Sequence, residues 1–170
     1  ALKAAYALQE AGAAWGSVEL VRSLRLPDAL ADNIAKALAA FGWAEEDVPG
    51  KMRLTETGQA RAVELVRAHR LWELYLVDRE GMSLDVVHTE AHRREHEITP
   101  EELERLDTEL GYPAWDPHGH VIPASGSRVP SPAGRSLLEV GIPGGRLRIV
   151  RLDDEPAELL TQLGALGLKP

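Results

Sequence analysis

Histidines and glutamates recur at helical spacing in the middle of this chain. Four of the six histidines lie within residues 69–96, together with two suitably spaced glutamates. The candidate donors are His69, Glu73, His88, His92, Glu95 and His96. On a helix with 100° per residue, the last four project within an arc of roughly 100°. Convergent nitrogen and oxygen donors suit a divalent transition metal, so we predict a metal site carried by two helices. The alternative is a solvated helix face that is rich in histidine.

Composition excludes several classes of protein. The 170 residues contain no cysteine, which rules out a disulfide scaffold, a cysteine-ligated zinc site and an iron–sulfur cluster. This composition fits a cytoplasmic location. No apolar run approaches the length of a membrane span, and no signal peptide opens the chain. The net charge of −8 argues against a general nucleic-acid binder, although a small local reading surface stays possible.

Residues 1–60 are predicted to form short helices followed by a hairpin. Apolar residues from Leu2 to Leu8 have helical spacing, and Pro27-Asp28 suits the first turn of a third helix. Pro49-Gly50 predicts a turn, and residues 51–54 alternate like a strand. This order is typical of a winged helix-turn-helix, although three-helix caps share it.

Residues 61–122 are predicted to be mostly helical. One helix runs from about residue 55 to 77, a second from 84 to 97, and a third from the N-cap at Thr99-Pro100 to about Gly111. The segment 69–77 is apolar almost all round, which favours a paired helix. We therefore expect a homodimer whose interface includes Leu71, Trp72 and Tyr75, and burial of this segment within one subunit is the alternative.

The last third of the chain begins with a linker. Proline, glycine and serine are concentrated in residues 123–134. Residues 144–152 alternate like a strand, and a short helix is expected from Glu155 to Gly164 or Gly167. His118 and His120 stand in a proline- and glycine-containing loop, where we expect them to cap the loop or face solvent.

Several segments resemble the diphtheria-toxin-repressor family of iron- and manganese-dependent regulators. They are Leu54-Thr-Glu-Thr-Gly58, Ala68-His-Arg-Leu-Trp-Glu73, Val87-His-Thr-Glu-Ala-His-Arg-Arg-Glu-His96, Asp116-Pro-His-Gly119 and Ile122-Pro123. Residues 147–168 resemble the SH3-like domain shared with small ferrous-iron-transport proteins. The resemblance implies a mainly α fold with small β elements. Its parts would be a winged helix-turn-helix (1–60), a helical metal-binding and dimerisation domain (61–122), the linker (123–134) and a partial SH3-like domain (135–170).

The resemblance also implies two metal sites. The ancillary site would contain His69, Glu73 and His88, and the primary site His92, Glu95 and His96. Iron sensors have cysteine and manganese sensors have glutamate at the position of His92, so its imidazole shifts the preference toward borderline metals. The ion therefore stays open among manganese, iron, and zinc or cobalt. A further family ligand falls just before Ala1, and the SH3-like domain could contribute Glu155 or Glu158.

The DNA-reading half departs from the family pattern. The recognition-helix positions hold Pro27, Ala29, Leu30, Asp32 and Asn33, where repressors carry Ser, Thr and Gln. The predicted wing is acidic, and residues 1–60 hold six Lys and Arg against eight Asp and Glu, a net charge of −2. The candidate DNA contacts that remain are Asn33, Lys36, Lys51 and Arg53. Because affinity for DNA depends on neutralising phosphates, we expect binding to operator DNA to be weak, non-specific or absent. The fold would then serve packing or protein contact.

These observations predict a metal-dependent transcriptional regulator. The alternative is the metal-sensing extension of a manganese, zinc or iron ABC-transporter permease, which these segments also resemble. The membrane portion would then precede residue 1, and the chain would be a cytoplasmic domain of an inner-membrane protein. We expect no enzymatic activity, because the sequence lacks a Ser/His/Asp order, a glycine-rich phosphate loop and the HExxH spacing of metalloproteases.

Overall fold

The computed structural model describes residues 1–124, 135–140, 146–152 and 157–170. Its helices and strands are α1 (Leu2–Glu10), α2 (Ser17–Ser23), a 3₁₀ turn (Asp28–Leu30), α3 (Ala31–Ala40), β1 (Ala44–Val48), β2 (Lys51–Leu54), α4 (Glu56–Asp78), α5 (Leu84–Arg94), α6 (Pro100–Glu109), α7 (Leu137–Val140) and α8 (Ala157–Ala165). The fold is mainly helical with a small two-stranded sheet, as predicted. The described residues form two compact units, Ala1–Val66 and those from Arg67 onward.

The N-terminal unit contains three helices followed by the hairpin. Tyr6, Trp15, Leu20 and Leu38 are buried in its core. Strands β1 and β2 pair in antiparallel fashion, with Ala44 opposite Leu54. The helix order and the turn before β2 agree with the sequence prediction.

Gly58 fixes the start of α4 within this unit. A Cβ atom built at Gly58 would lie 1.9 Å from the backbone oxygen of Trp43, so only glycine fits. The Gly58 N–H donates to Thr55 Oγ1 at 3.0 Å, which caps the first turn of the helix. In the segment 54–58, which resembles the family, Gly58 and Thr55 therefore have a structural role at the start of α4.

The second unit packs α4, α5 and α6 around two apolar clusters. Leu71, Leu103 and Leu106 belong to the first cluster, and Leu76 and Val87 to the second. Helix α6 begins as predicted, at a capping box in which Thr99 Oγ1 accepts from the Glu102 N–H and the Glu102 carboxylate accepts from the Thr99 N–H.

Helix α5 ends earlier than predicted. It stops at Arg94 rather than near Glu97, because the backbone must be extended at Thr99, ahead of Pro100. Glu95 and His96 consequently lie in the turn that follows α5. Glu95 still has helical backbone angles, and its N–H donates to the Ala91 carbonyl at 2.9 Å, so helical phasing extends to Glu95 but not to His96.

The C-terminal residues agree with their prediction in part. The predicted short helix is present as α8 (Ala157–Ala165), which packs on α5. Residues 146–152, part of the strand predicted over 144–152, belong to no strand, although the Leu152 N–H donates to the His118 carbonyl at 2.9 Å. An alternating pattern forms a strand only beside another strand, and this described segment pairs with none. Most of the predicted linker (125–134) lies outside the described residues.

Among the described residues, no helix combines the length and apolarity needed to cross a membrane.

Candidate metal centre

Glu73, on α4, is a fully enclosed carboxylate, with a side chain that is 0% exposed. Its Oε1 lies 3.1 Å from His69 Nε2 and 3.2 Å from His88 Nδ1. The two imidazoles approach each other to 3.0 Å (His69 Nε2 to His88 Nδ1). One donor atom from each residue lies within 4.8 Å of the other two, so this Glu73 cluster could hold a metal ion. Because helix α4 contributes two of the residues and α5 the third, a shared ion would join these helices.

The charge of Glu73 depends on its imidazole neighbours. Burial by itself would raise the pKa of this carboxyl, but contacts with His118, His69 and His88 outweigh burial and hold the pKa well below its usual value. The carboxylate is therefore ionised throughout the physiological range. An ionised carboxylate with nearby imidazoles is a suitable donor set for a divalent cation.

A second group surrounds Glu95, whose side chain is also 0% exposed. His69 Nδ1 lies 2.6 Å from Oε2, and His92 Nδ1 lies 3.0 Å from Oε1. His69, His92 and Glu95 form a group with the spacing of metal ligands. His96 Nε2 lies 3.4 Å from Glu95 Oε1, at the exposed side of this Glu95 cluster. His69 thus contacts both buried carboxylates, one with each ring nitrogen.

A third group, Asp116, His118 and His120, also has the spacing of metal ligands. Asp116 Oδ1 accepts from the N–H groups of His118 and His120 at 2.9 and 2.8 Å, and Asp116 Oδ2 lies 3.0 Å from His120 Nδ1. This Asp116 group was not among the ligands predicted from the sequence. Its one sequence signal was the Asp-Pro-His-Gly segment.

The expectation that His118 caps the loop or faces solvent is wrong. Its side chain is 0% exposed, and its Nε2 lies 3.2 Å from the carbonyl of Leu84. His120, in contrast, contacts Asp116 within the loop, one of the two expected roles.

Two buried polar atoms, one on His118 and one on Glu73, indicate whether these residues suit a metal ion. His118 Nδ1 and Glu73 Oε2 lie 3.6 Å apart, and neither atom has a hydrogen-bond partner among the residues that the structure describes. Buried polar atoms are normally paired, so two facing unpaired donors suit a cation that both could bind. The donor set fits a divalent metal.

Glu158, one of the two further candidate ligands, is exposed on α8 and belongs to none of these groups. Glu155 lies outside the described residues. The ligands that the sequence predicted therefore converge around two carboxylates, with His96 at the edge of the second.

Two of the four predicted DNA contacts form ion pairs with carboxylates of the N-terminal unit. Lys51 Nζ lies 2.7 Å from Glu19 Oε1, and Arg53 pairs with Glu45 at 2.5 Å and Asp47 at 3.4 Å. The other two candidates, Asn33 and Lys36, are exposed on α3. The cations of the hairpin are thus neutralised within the unit.

Of the three residues predicted at the dimer interface, one lies in the core and two lie at the surface. Leu71 is 0% exposed in the core of its own unit. Trp72 and Tyr75 are half-buried and line a groove of about 520 Å³ that also includes Ile98 and Leu106. A contact between subunits is therefore available to Trp72 and Tyr75 but not to Leu71.

Residues 55–124 match the family model described as iron dependent repressor, metal binding and dimerisation domain. A probable metal transport system membrane protein of Chlamydia trachomatis is 35% identical over 112 residues, covering 64% of this chain and 25% of that protein. The iron-dependent repressor IdeR of Mycobacterium bovis is 36% identical over 110 residues, covering 62% of this chain and 43% of the repressor. This chain thus spans less than half the length of either curated relative.

The structural comparison covers nearly the whole chain. The apo form of the manganese-activated repressor ScaR superposes with a TM-score of 0.79 at 30% identity, over 99% of this chain and 79% of that one. The matched segment 55–124 contains the Glu73 and Glu95 clusters and the Asp116 group. The chain belongs to the diphtheria-toxin-repressor family of iron- and manganese-dependent regulators.

Proposed function

We propose that this chain is a metal-dependent transcriptional regulator whose sensing site is the Glu73 and Glu95 clusters. The observation that carries the proposal is a pair of fully enclosed carboxylates, each contacted by imidazoles from different parts of the chain. A divalent cation bound at each cluster would supply positive charge to its carboxylate. His69 and Glu73 on α4 and His88 on α5 would hold one ion, and His92 on α5 with Glu95 and His96 after it would hold the other. Regulation follows because such an ion favours the arrangement in which these segments lie together.

The remaining parts of the chain support regulation rather than catalysis. We assign the N-terminal unit to a winged helix-turn-helix from its three helices and hairpin. The region after residue 134 would be part of an SH3-like domain, and the groove at Trp72 and Tyr75 would form a symmetric dimer. IdeR and ScaR are both named repressors, so operator DNA is the proposed target. The proposed location is the cytoplasm.

A second candidate function is the regulatory domain of a metal transporter. One relative with 35% identity is named a probable metal transport system membrane protein. The pairing of Lys51 and Arg53 with carboxylates agrees with this candidate, because it lowers the charge available to DNA phosphates. In this case the metal site would be the same and the regulated target would be a membrane permease.

Metal binding is tested by comparing the wild-type chain with the double variant His92→Ala/His96→Ala. We expect the wild type to retain divalent metal until a chelator removes it, and the variant to lose the ion at the Glu95 cluster. Affinity should fall as pH drops through about 6.5, because only neutral imidazole binds metal. Val86→Ala, at an exposed position on α5, is the control that should bind normally. Undiminished binding in the double variant would contradict the proposed site.

The target is tested by titrating DNA from upstream of neighbouring metal-transport genes, with metal present, at two salt concentrations. A specific repressor binds with a Kd of about 10⁻⁸ to 10⁻¹¹ M at physiological salt. Metal-dependent, sequence-selective binding in that range would support the transcriptional regulator. Binding no tighter than roughly 10⁻⁶ M, with metal binding intact, would instead favour the transporter domain.

A further inference from the structure

A cavity of about 720 Å³ lies between the Asp-Pro-His-Gly loop and residues 148–150. Trp115, Ile149 and Val150 contribute apolar side chains to its lining. Cavities that bind small molecules commonly measure about 300–1,000 Å³ and combine apolar and aromatic side chains with a few polar groups. The size and the lining of this cavity, which we call the Trp115 cavity, therefore suit a small organic molecule.

The two walls of the Trp115 cavity are joined through backbone contacts. Gly119 has a φ of +85°, and a Cβ atom built there would lie 2.1 Å from the backbone oxygen of Val150, so only glycine allows the loop to approach this closely. The Leu152 N–H donates to the His118 carbonyl at 2.9 Å. The shape of the cavity therefore depends on main-chain packing as well as on its exposed side chains.

Trp115 is 51% exposed although its backbone is held within the loop. Trp115 and Val121 pair across the loop, and the Ile122 N–H donates to the Ala114 carbonyl at 2.9 Å. A large ring that stays half in water on such a backbone offers a flat apolar surface. Aromatic rings favour stacked or edge-on contacts with one another, so this surface suits a ligand that carries an aromatic ring.

Two cationic side chains, Arg148 and Lys169, also line the cavity. Both are exposed, and neither forms an ion pair with any residue that the structure describes. The Asp116 carboxylate lines the cavity too, but its side chain is 0% exposed, and it accepts from the N–H groups of His118 and His120. In a chain with a net charge of −8, the exposed charge at this cavity is therefore positive. A carboxylate or phosphate complements it, because charge-assisted hydrogen bonds to arginine are strong.

We propose that the Trp115 cavity binds a small organic anion that carries a planar aromatic ring. The ring packs on Trp115, and the anionic group binds Arg148 and Lys169. Aromatic carboxylates and mononucleotides share this chemistry. The site goes beyond metal sensing, since none of these contacts involves the Glu73 or Glu95 cluster.

The test measures binding of anilinonaphthalene sulfonate, an aromatic anion that becomes fluorescent in apolar surroundings, to the full chain. We expect one saturable site per chain. Arg148→Glu should weaken the affinity by at least about tenfold, because it removes a hydrogen bond to a charged group. Arg79→Glu, the same change at an exposed position after α4, should leave the affinity unchanged. Phenylnaphthylamine, which keeps the rings but lacks the sulfonate, should bind more weakly and should not respond to Arg148→Glu.

Variants of Trp115 test the other half of the site. Trp115→Ala should weaken the affinity for the probe by about tenfold, and Trp115→Phe should retain most of it, because phenylalanine keeps an aromatic ring. Displacement of the probe by naphthoate or by adenosine monophosphate then shows which of the two sources of this chemistry fits.

Three results would overturn the proposal. They are the absence of saturable binding, an affinity that Arg148→Glu leaves unchanged, and displacement of the probe by neither competitor. Binding that is lost in Arg105→Glu but kept in Arg148→Glu would place the probe in the groove beside Trp72 instead, which would equally contradict the proposed site. Metal sensing would stand in each case.

Discussion

His92 determines much of the chemistry of the Glu95 cluster. Together with His69 and His96 it places three imidazoles around one carboxylate. Imidazole suits zinc, iron, nickel and copper, whereas carboxylates and water suit manganese. His92 is also 59% exposed, so its replacement changes the donor set without disturbing the core. We therefore expect a substitution at residue 92 to alter metal preference without altering the fold.

Replacing His92 with glutamate should shift the preference toward manganese. We expect the ratio of zinc to manganese affinity to fall by about tenfold or more, or about 1.4 kcal/mol, because an oxygen donor replaces a nitrogen donor. Competition against a chromophoric chelator gives both affinities. Val86→Glu adds the same charge to α5 about 9 Å from residue 92 along the helix axis and about 120° around it, so it should leave the ratio unchanged. An unaltered ratio in His92→Glu would show that His92 is not a ligand.

His118 should make the stability of the metal-free protein depend on pH. Burial by itself would lower its pKa, but the contact with the Glu73 carboxylate and its charge outweigh burial and raise the pKa. A raised folded-state pKa stabilises the fold fully below the unfolded value of about 6.5, and this stabilisation is lost as pH rises through the folded value. The free energy by which the wild type is more stable than His118→Gln should therefore shrink as pH rises above about 6.5. Urea unfolding with a chelator present measures this difference, and a difference that grows with pH would contradict this assignment.

The residues of the metal centre differ in how far the sequence could predict them. His69 and Glu73, one turn apart on α4, and His88 and His92 on α5 follow from helical spacing. The place of His118 depends on a loop that meets α4 and α5 in space, and no local pattern contains that information. The proline- and glycine-containing context suggested exposure, whereas the backbone contacts of Asp116 direct the ring inward.

At the scale of elements, Arg67 on α4 forms ion pairs with two carboxylates on α6 that differ in their exposure to solvent. The Arg67 side chain is 5% exposed and contacts Asp107 at 2.5 Å and Glu104 at 2.6 Å. Asp107 is nearly as enclosed as Arg67, whereas Glu104 is 55% exposed. Burial opposes the charge of Arg67, but the hydrogen bonds that its guanidinium donates to Glu104 and Asp107 outweigh burial and raise its pKa. The ion pair with the enclosed carboxylate should contribute most to stability.

Replacing Asp107 and Glu104 one at a time tests whether the enclosed carboxylate contributes more to stability than the exposed one. Asp107→Ala should lower the free energy of unfolding by about 2–3 kcal/mol, because it leaves the Arg67 guanidinium enclosed and short of a partner. Glu104→Ala should cost no more than about 1 kcal/mol, as expected for a pair that solvent screens. Urea denaturation of the metal-free variants gives both values. Equal losses would mean that solvent reaches Arg67 more freely than its exposure indicates.

Elements with strong local signals were predictable from the sequence. Helix α6 begins at Thr99-Pro100 because capping residues act within a few positions of the chain. Strand β1 had no comparable signal, since its acidic residues disfavour strands, and only pairing with β2 defines it. Residues 146–152 show the opposite case, in which a strand-like pattern finds no partner in the described part of the chain. Local chemistry therefore predicted the helices better than the strands.

At the scale of the whole molecule, the groove beside Trp72 is suited to a second copy of the chain. Its floor is apolar, with Tyr75, Ile98 and Leu106, and its rim carries both arginines and glutamates. A surface with both charges can meet itself across a two-fold axis, the commonest symmetry of soluble assemblies. The groove is thus the place where dimerisation is expected.

Sedimentation at micromolar concentration should therefore give twice the chain mass of 18.6 kDa. Tyr75→Lys should shift the protein toward the monomer, because it places a charge in the apolar floor of the groove. Val86→Lys, which adds the same charge at an exposed apolar position on α5, should remain dimeric. A wild type that stays monomeric with and without metal would rule out this interface.

The enclosure of Glu73 and Glu95 also bears on rates. Both carboxylates already contact imidazoles, at distances from 2.6 Å (His69) to 3.2 Å (His88). In the proposed sensor, an arriving ion would have to separate these protein contacts as well as shed its own water. The exposed imidazoles of His92 and His96 would be the first donors that it meets. We therefore expect the response time of the protein to a change in metal concentration to depend on how often the imidazoles on α4 and α5 move away from these carboxylates, rather than on how often an ion collides with the surface.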